Sequence, residues 1–185
     1  DMGDALAIIL YVFAGGPAPQ CVVEENCPTT TACSVELGCP VIVNPESDSV
    51  GVPLYLTSDR EITGMTFGFK HNSSQLELTN FSLDGGVLEG LSPYSKSVPH
   101  PDENRIVFYW SSYTAIAAQS DALLGTLWFD IPPGTSPQNI DVDTTYESQS
   151  GDLILFTPGL LYVYPSYNDC GTTDIIISGD TCAAQ

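Results

Sequence analysis

The sequence predicts a mainly β protein: an antiparallel β-sandwich of about eight or nine strands with a short N-terminal α-helix before it. Three observations carry this. Beyond residue 40, apolar residues alternate at period two in short runs. Turn clusters such as Asp84-Gly85-Gly86, Pro132-Pro133-Gly134 and Ser150-Gly151-Asp152 separate those runs. Scarcely any of this region has helical period, and many short strands of this kind pack as two sheets face to face. The chain therefore divides into a helix over 1–19, a Cys-rich connector over 20–40 and a sandwich over 41–185.

The first element is DMGDALAIILYVFAGGPAP. Leu6, Ile9, Leu10 and Phe13 recur at the spacing of one helical face, and Ile8, Tyr11 and Val12 make the other side apolar too. A helix apolar all round is buried or membrane-embedded. Gly15-Gly16-Pro17 ends this one after roughly ten residues, half of what a bilayer crossing needs, so no membrane insertion is expected. The leading charges, Asp1 and Asp4, are opposite in sign to those of a signal peptide. The helix needs protein on more than one side, and Leu6, Ile9, Leu10 and Phe13 are its expected interface.

The connector holds Cys21, Cys27, Cys33 and Cys39, with five residues between each, and Cys170 and Cys182 lie near the other end. Zinc sites use closer spacing and bring in histidines, whereas His71 and His100 are both remote from the cluster. Disulfides are expected instead, with the connector four paired among themselves and Cys170 paired with Cys182. This implies an oxidising, extracellular or cell-surface setting. With no initiating Met and no signal, the chain reads as a piece of a longer secreted protein.

The strands follow in order. Val50, Val52, Leu54 and Leu56 share a face, as do Met65, Phe67 and Phe69. Ile106, Phe108 and Trp110 alternate against Val107 and Tyr109, and LLGTLWFDI places Leu123, Leu127, Phe129 and Ile131 together. NIDVDTT, DLILF and GLLYVYP come next, while AIAAQSDALLG leaves room for a helical turn before its strand. DIIIS, at 174–178, is left over: an extra strand on the edge of the same sheet, or one offered to another subunit.

The stretch VGVPLYLTSDREITGMTFGFKHNSSQLELTNFSLDGG resembles the first half of a cohesin domain, with its I-x-G-x-x-F strand and its S-x-L-E-L segment. ALLGTLWFDIPPGTSPQNIDV and GLLYVYP are similar to the family's later strands, so the resemblance spans about residues 40–165. It implies a cohesin-like jelly roll that binds protein. The opening DALAIILYVFAGGPAP resembles the end of a dockerin calcium loop and its following helix. That resemblance makes Asp4 the last ligand of the loop and Asp1 its ninth position, and calcium the one cofactor implied. The loop's first eight positions and the second repeat of a dockerin are missing. For Asp1 and Asp4 an N-terminal helix-capping role is the alternative.

Composition narrows function further. Four basic residues against 23 acidic ones give a net charge of −19, which repels nucleic acid and anionic membrane surfaces and favours calcium or cationic partners. Catalysis finds no support. Asp141 and Asp143 alternate onto one strand face and Asp102-Glu103 lie beside His100, but adjacent carboxylates are commonplace in so acidic a chain. No nucleophile elbow, phosphate loop or dinucleotide fingerprint is present. Asn72-Ser73-Ser74 and Asn80-Phe81-Ser82 are N-glycosylation sequons. Tyr55, Tyr109, Tyr113 and Trp128 could stand outward. The expected function is a secreted, non-catalytic protein–protein interaction or structural module. It would dock on a protein partner or assemble head to tail into an extracellular filament by helix-to-sandwich contact. A carbohydrate-binding module of a larger cell-surface protein is the alternative.

Overall fold

Alternation becomes strand wherever one face can be buried. The computed structural model describes residues 33–91, 94–100, 105–144, 153–158, 162–169 and 174–178, and among these there is no helix. The N-terminal helix expected over 1–19 lies outside the described residues, as do Cys21, Cys27, Cys170 and Cys182.

The strands are β1 (Cys33–Leu37), β2 (Val41–Val43), β3 (Ser49–Ser58), β4 (Ile62–His71), β5 (Glu77–Ser82), β6 (Tyr94–His100) and β7 (Arg105–Ile116). They continue with β8 (Gln119–Asp130), β9 (Gln138–Ile140), β10 (Val142–Asp143), β11 (Ile154–Phe156), β12 (Tyr162–Val163), β13 (Ser166–Asn168) and β14 (Ile175–Ile177). One sheet has five strands in the order β13-β1-β3-β8-β5; the other has six, counting β10 on β4 beside the path β12-β11-β4-β7-β6. A small sheet, β2-β14-β9, stands apart from both. Most pairings are antiparallel; β1–β13 and β2–β14 are parallel.

The core lies between the two large sheets. Val50, Val52, Leu54 and Leu56 on β3 meet Met65, Phe67 and Phe69 on β4 and Ile106, Phe108 and Trp110 on β7, all buried as their alternation predicts. Phe67 is the hub. Its ring stacks on Phe108 with centroids 4.8 Å apart and meets Phe69 and Phe81 edge-on at 5.2 Å each. Phe81 comes from the opposite sheet, so these rings bind the two layers together.

The structure corrects four expectations. First, the sandwich begins at Cys33 rather than 41: within the supposed connector, CSVEL alternates Cys33, Val35 and Leu37 inward as β1. Second, Cys33 is a free thiol. Its strand turns the side chain into the core, with Sγ 3.7 Å from Ser58 Oγ on β3. Cys39 is disulfide-bonded, to a partner outside the described residues. Third, Leu124 is fully buried where Leu123 was expected, because β8 slips register against β3 between the pairs Leu54–Gly125 and Tyr55–Leu123. A bulge of this kind resets the alternation. Ala117-Ala118 is a short β7–β8 connection with no helical turn. Fourth, β14 is no free edge: β2 pairs on one side of it and β9 on the other, with Ile175 and Ile177 buried.

The buried Cys33 thiol should resist a bulky thiol reagent in the native protein and react once the unreduced chain is denatured. With Cys33 free, five cysteines remain, so at least one more has no disulfide partner within these 185 residues. Peptide mapping that finds Cys33 in a disulfide would contradict this.

His71 closes β4 at the end of the core. Only 6% exposed, its ring stands edge-on to Phe129 with centroids 5.4 Å apart, and neither nitrogen has a hydrogen-bond partner. Its register partner is Val142, which Asp141 and Asp143 flank in sequence. Burial pushes the imidazole pKa down to about 4 from an ordinary 6.5. Between those values the unfolded chain binds a proton that the native protein refuses. This group's contribution is therefore complete above pH 6.5 and is lost as pH falls toward 4, at no more than about 1.4 kcal/mol per pH unit. In urea titrations across that range, His71→Phe should flatten the decline; an unchanged slope would contradict it.

Candidate protein-docking face

The outer face of the six-stranded sheet is built from residues that alternate away from the core. On β4 these are Gly64, Thr66, Gly68 and Lys70, and on β7 they are Arg105, Val107, Tyr109 and Ser111, paired in register across the two strands. On β11, Phe156 stands opposite Gly64 and Ile154 opposite Thr66. A Cβ at Gly64 would lie 3.3 Å from the Phe156 ring and 3.1 Å from the Trp110 carbonyl oxygen, so glycine lets the ring settle across the strand. The centre of the face is a low apolar strip in which Ile154 and Tyr109 are half-buried and Val107 and Phe156 are buried beneath their neighbours. Thr66 Oγ1, within that strip, is buried without a hydrogen-bond partner, an unusual cost for a hydroxyl.

Charge concentrates beside the strip. The chain has four basic residues, and three of them fall on this sheet: Lys70, Arg105 directly across from it, and Lys96, which is registered opposite Tyr109 on β6. Like charges directly opposed on a sheet repel. Asp143 of β10, in register with Lys70 on its other side, offsets part of that repulsion. The fourth cation, Arg60, is in the β3–β4 turn and pairs with Asp59 at 2.8 Å. In a molecule of net charge −19, Lys70 and Arg105 thus stand as neighbours on one surface. This neighbourhood is hidden in the sequence, because FGFK and ENRIV are far apart and only the β4–β7 pairing unites them.

The other expected sites are scattered. Asp1, Asp4, Leu6, Ile9, Leu10 and Phe13 lie outside the described residues. Among the described residues, no group of three or more His, Cys, Asp or Glu side chains is placed to hold a metal ion. Asn72 and Asn80 are both exposed, with Asn72 Oδ1 accepting a hydrogen bond from the Asp141 N–H at 3.1 Å. The aromatic residues do not form one row: Tyr55 and Trp128 stand on the outer face of the five-stranded sheet and Tyr109 on that of the six-stranded sheet. The Tyr113 side chain is outside the described residues. Asp141 and Asp143 frame a structural junction. Val142 N–H donates to the buried Asp174 Oδ2 at 2.7 Å, and Val142 C=O accepts from the Tyr167 hydroxyl at 2.8 Å. Burial, then the carboxylates of Asp174, Asp169, Asp143 and Asp141, hold the Tyr167 phenol well above its usual range, so it remains a donor.

No family model matches the chain, and no curated protein matches it. Solved structures do. A Clostridium thermocellum complex, described as a type I cohesin–dockerin complex, contains a chain 15% identical, covering 75% of this chain and 95% of its own with a TM-score of 0.60. The sixth cohesin of Acetivibrio cellulolyticus scaffoldin B, solved with a Cel5 dockerin, is 16% identical over 81% of this chain and 100% of its own, again at 0.60. A non-cellulosomal cohesin from the archaeon Archaeoglobus fulgidus is 12% identical, covering 80% and 92%, at 0.54. The fold of this chain is cohesin-like.

Proposed function

We propose that the chain is a non-catalytic protein-binding module of the cell exterior, and that its partner docks on the outer face of the six-stranded sheet. The observation that carries this reading is the pairing of Lys70 with Arg105 beside a low apolar strip in a chain otherwise rich in acid. Such a surface suits an apolar element led by carboxylates, with apolar burial supplying affinity and charge setting orientation. Two of the similar cohesins were solved in complex with dockerins, which supports a protein partner.

The chain contains a segment of that chemistry. Asp1 and Asp4 precede Leu6, Ile9, Leu10 and Phe13. In a helix, Ile9 and Phe13 would lie on the strip while the leading carboxylates reached Lys70 and Arg105. Burying each large apolar side chain contributes about 1.5–3 kcal/mol. The segment of one copy docking on the sheet of the next is a heterologous contact, and unless it closes a ring it builds an open filament. Calcium enters as an auxiliary: Asp1 and Asp4 offer two carboxylates where such sites take six to eight oxygens, so the neighbouring chain or an upstream segment would complete the shell. The exposed Asn72 and Asn80 would carry glycans in a secretory host.

Sedimentation velocity tests the reading. The unmodified chain should grow in size with concentration, and Ile9→Asp with Phe13→Asp should abolish that growth while circular dichroism still reports a folded sandwich. An unmodified chain that stays monomeric at high concentration, with a double variant that merely unfolds, would place the helix in its own core instead.

A further inference from the structure

The opposite surface, the outer face of the five-stranded sheet, differs in every respect. It carries two aromatic rings, each lying close over a glycine of the neighbouring chain segment. A Cβ at Gly51 would stand 3.1 Å from Cη2 and 3.2 Å from Cζ2 of Trp128, and one at Gly38 would stand 2.7 Å from Cε2 of Tyr55. Indole and phenol therefore lie across the strands rather than rising from them. Trp128 is 39% exposed, although a ring of this size gains most by burial. The Tyr55 ring lies over Gly38, which is hydrogen-bonded to Pro53, two residues from Gly51 along β3, so the two rings are about 7 Å apart in the strand direction at ~3.4 Å per residue. Pro53 lies beside the Tyr55 ring, its Cγ 2.6 Å from the same Gly38 position, and continues the apolar strip.

The strip is edged by hydrogen-bonding groups of one charge. Asp130 is exposed two residues beyond Trp128 on β8, where Glu77 faces it from β5 and Ser49 from β3. Glu36 is registered opposite Tyr55, and Thr126 opposite Pro53. No Lys or Arg stands on any of β1, β3, β5, β8 or β13.

We infer that this face binds a neutral polysaccharide in an extended conformation, with Trp128 and Tyr55 as its two stacking rings. The C–H face of a pyranose carries partial positive charge that matches the negative face of an aromatic ring. Carboxylates and hydroxyls beside the rings accept and exchange hydrogen bonds with sugar hydroxyls. The absence of cations on these strands selects against uronate or sulfated chains, which Glu36, Glu77 and Asp130 would repel. Two neighbouring rings on an open sheet face, rather than in a pocket, suit consecutive sugars of an extended chain rather than a monosaccharide. Because the six-stranded sheet's outer face is on the other side of the sandwich, the chain could hold a protein and a polysaccharide at once.

Affinity electrophoresis of unglycosylated protein tests this, with hydroxyethylcellulose or xylan in the gel and polygalacturonate as the anionic control. The unmodified chain should be retarded by at least one neutral polymer and not by polygalacturonate. Trp128→Ala should weaken retention about tenfold or more, the equivalent of one lost stacking contact, and adding Tyr55→Ala should abolish it. Both variants replace outward side chains, and unchanged melting would confirm that they fold. Lys70→Glu with Arg105→Glu should be retarded as the unmodified chain is, which separates this site from protein docking. No retardation in either neutral gel, retardation by polygalacturonate, or retention that survives both aromatic substitutions would overturn the inference. Self-association that requires Trp128 in place of retardation would also overturn it, by assigning the strip to protein.

Discussion

Phe67→Ala should cost about 3–5 kcal/mol of stability, the range for deleting a fully buried large ring. Typical domains hold only about 5–15 kcal/mol in total, so this single change should bring the chain close to unfolding. The size of the effect follows from position. Phe67 is fully buried on β4, stacked on Phe108 at 4.8 Å and edge-on to Phe81 at 5.2 Å, and Phe81 itself packs on Phe108 at 4.8 Å. Removing the hub strips ring contacts from both sheets at once, and neighbours fixed by strand pairing can collapse only partly into the space. Phe67→Leu, which keeps most of the volume, should cost much less. Equilibrium urea unfolding measures both; equal midpoints for the two variants would show that ring contacts across the sandwich are unimportant.

Asp174→Ala should destabilise by about 1.5–3 kcal/mol, the value of a hydrogen bond to a charged acceptor. The carboxylate is fully buried and accepts from Val142 N–H at 2.7 Å. Its own backbone extends the small sheet, since Asp174 N–H donates to Ile140 C=O of β9 at 2.9 Å and Val41 N–H of β2 donates to Asp174 C=O at 2.8 Å, so the side-chain bond to Val142 of β10 ties that sheet to the six-stranded one. Alanine keeps these main-chain bonds and orphans the Val142 donor. Asp174→Asn retains an oxygen acceptor and should recover part of the loss. If alanine and asparagine prove equally stable, the side-chain bond contributes nothing.

The core faces were legible because period-two patterning reports one-sided burial directly. Val50 to Leu56, Met65 to Phe69 and Ile106 to Trp110 needed nothing more than alternation. Three features were hidden for separate reasons. β1 escaped notice because Cys33 was counted as a cross-link, whereas its thiol is one of the inward positions of CSVEL. Leu124 was misassigned because a bulge shifts register through cross-strand hydrogen bonding, which leaves no mark in the local pattern. The partners of β14 were hidden because DIIIS pairs with segments at 41–43 and 138–140, far away in sequence. The candidate docking face was the least legible of all. Its cations were counted but could not be mapped, since Lys70 and Arg105 become neighbours only through the β4–β7 register.

The central claim is that one copy's leading segment docks on the next copy's six-stranded sheet, and mixing two disabled variants tests it most directly. Ile9→Asp with Phe13→Asp removes the docking segment and leaves the face intact. Lys70→Glu with Arg105→Glu spoils the face and leaves the segment intact. Each variant should sediment alone as a monomer. Mixed in equal amounts, they should form a dimer and grow no further, because only one intact segment and one intact face remain to meet. A mixture that stays monomeric although the unmodified chain assembles, or a face variant that assembles by itself as the unmodified chain does, would contradict the account.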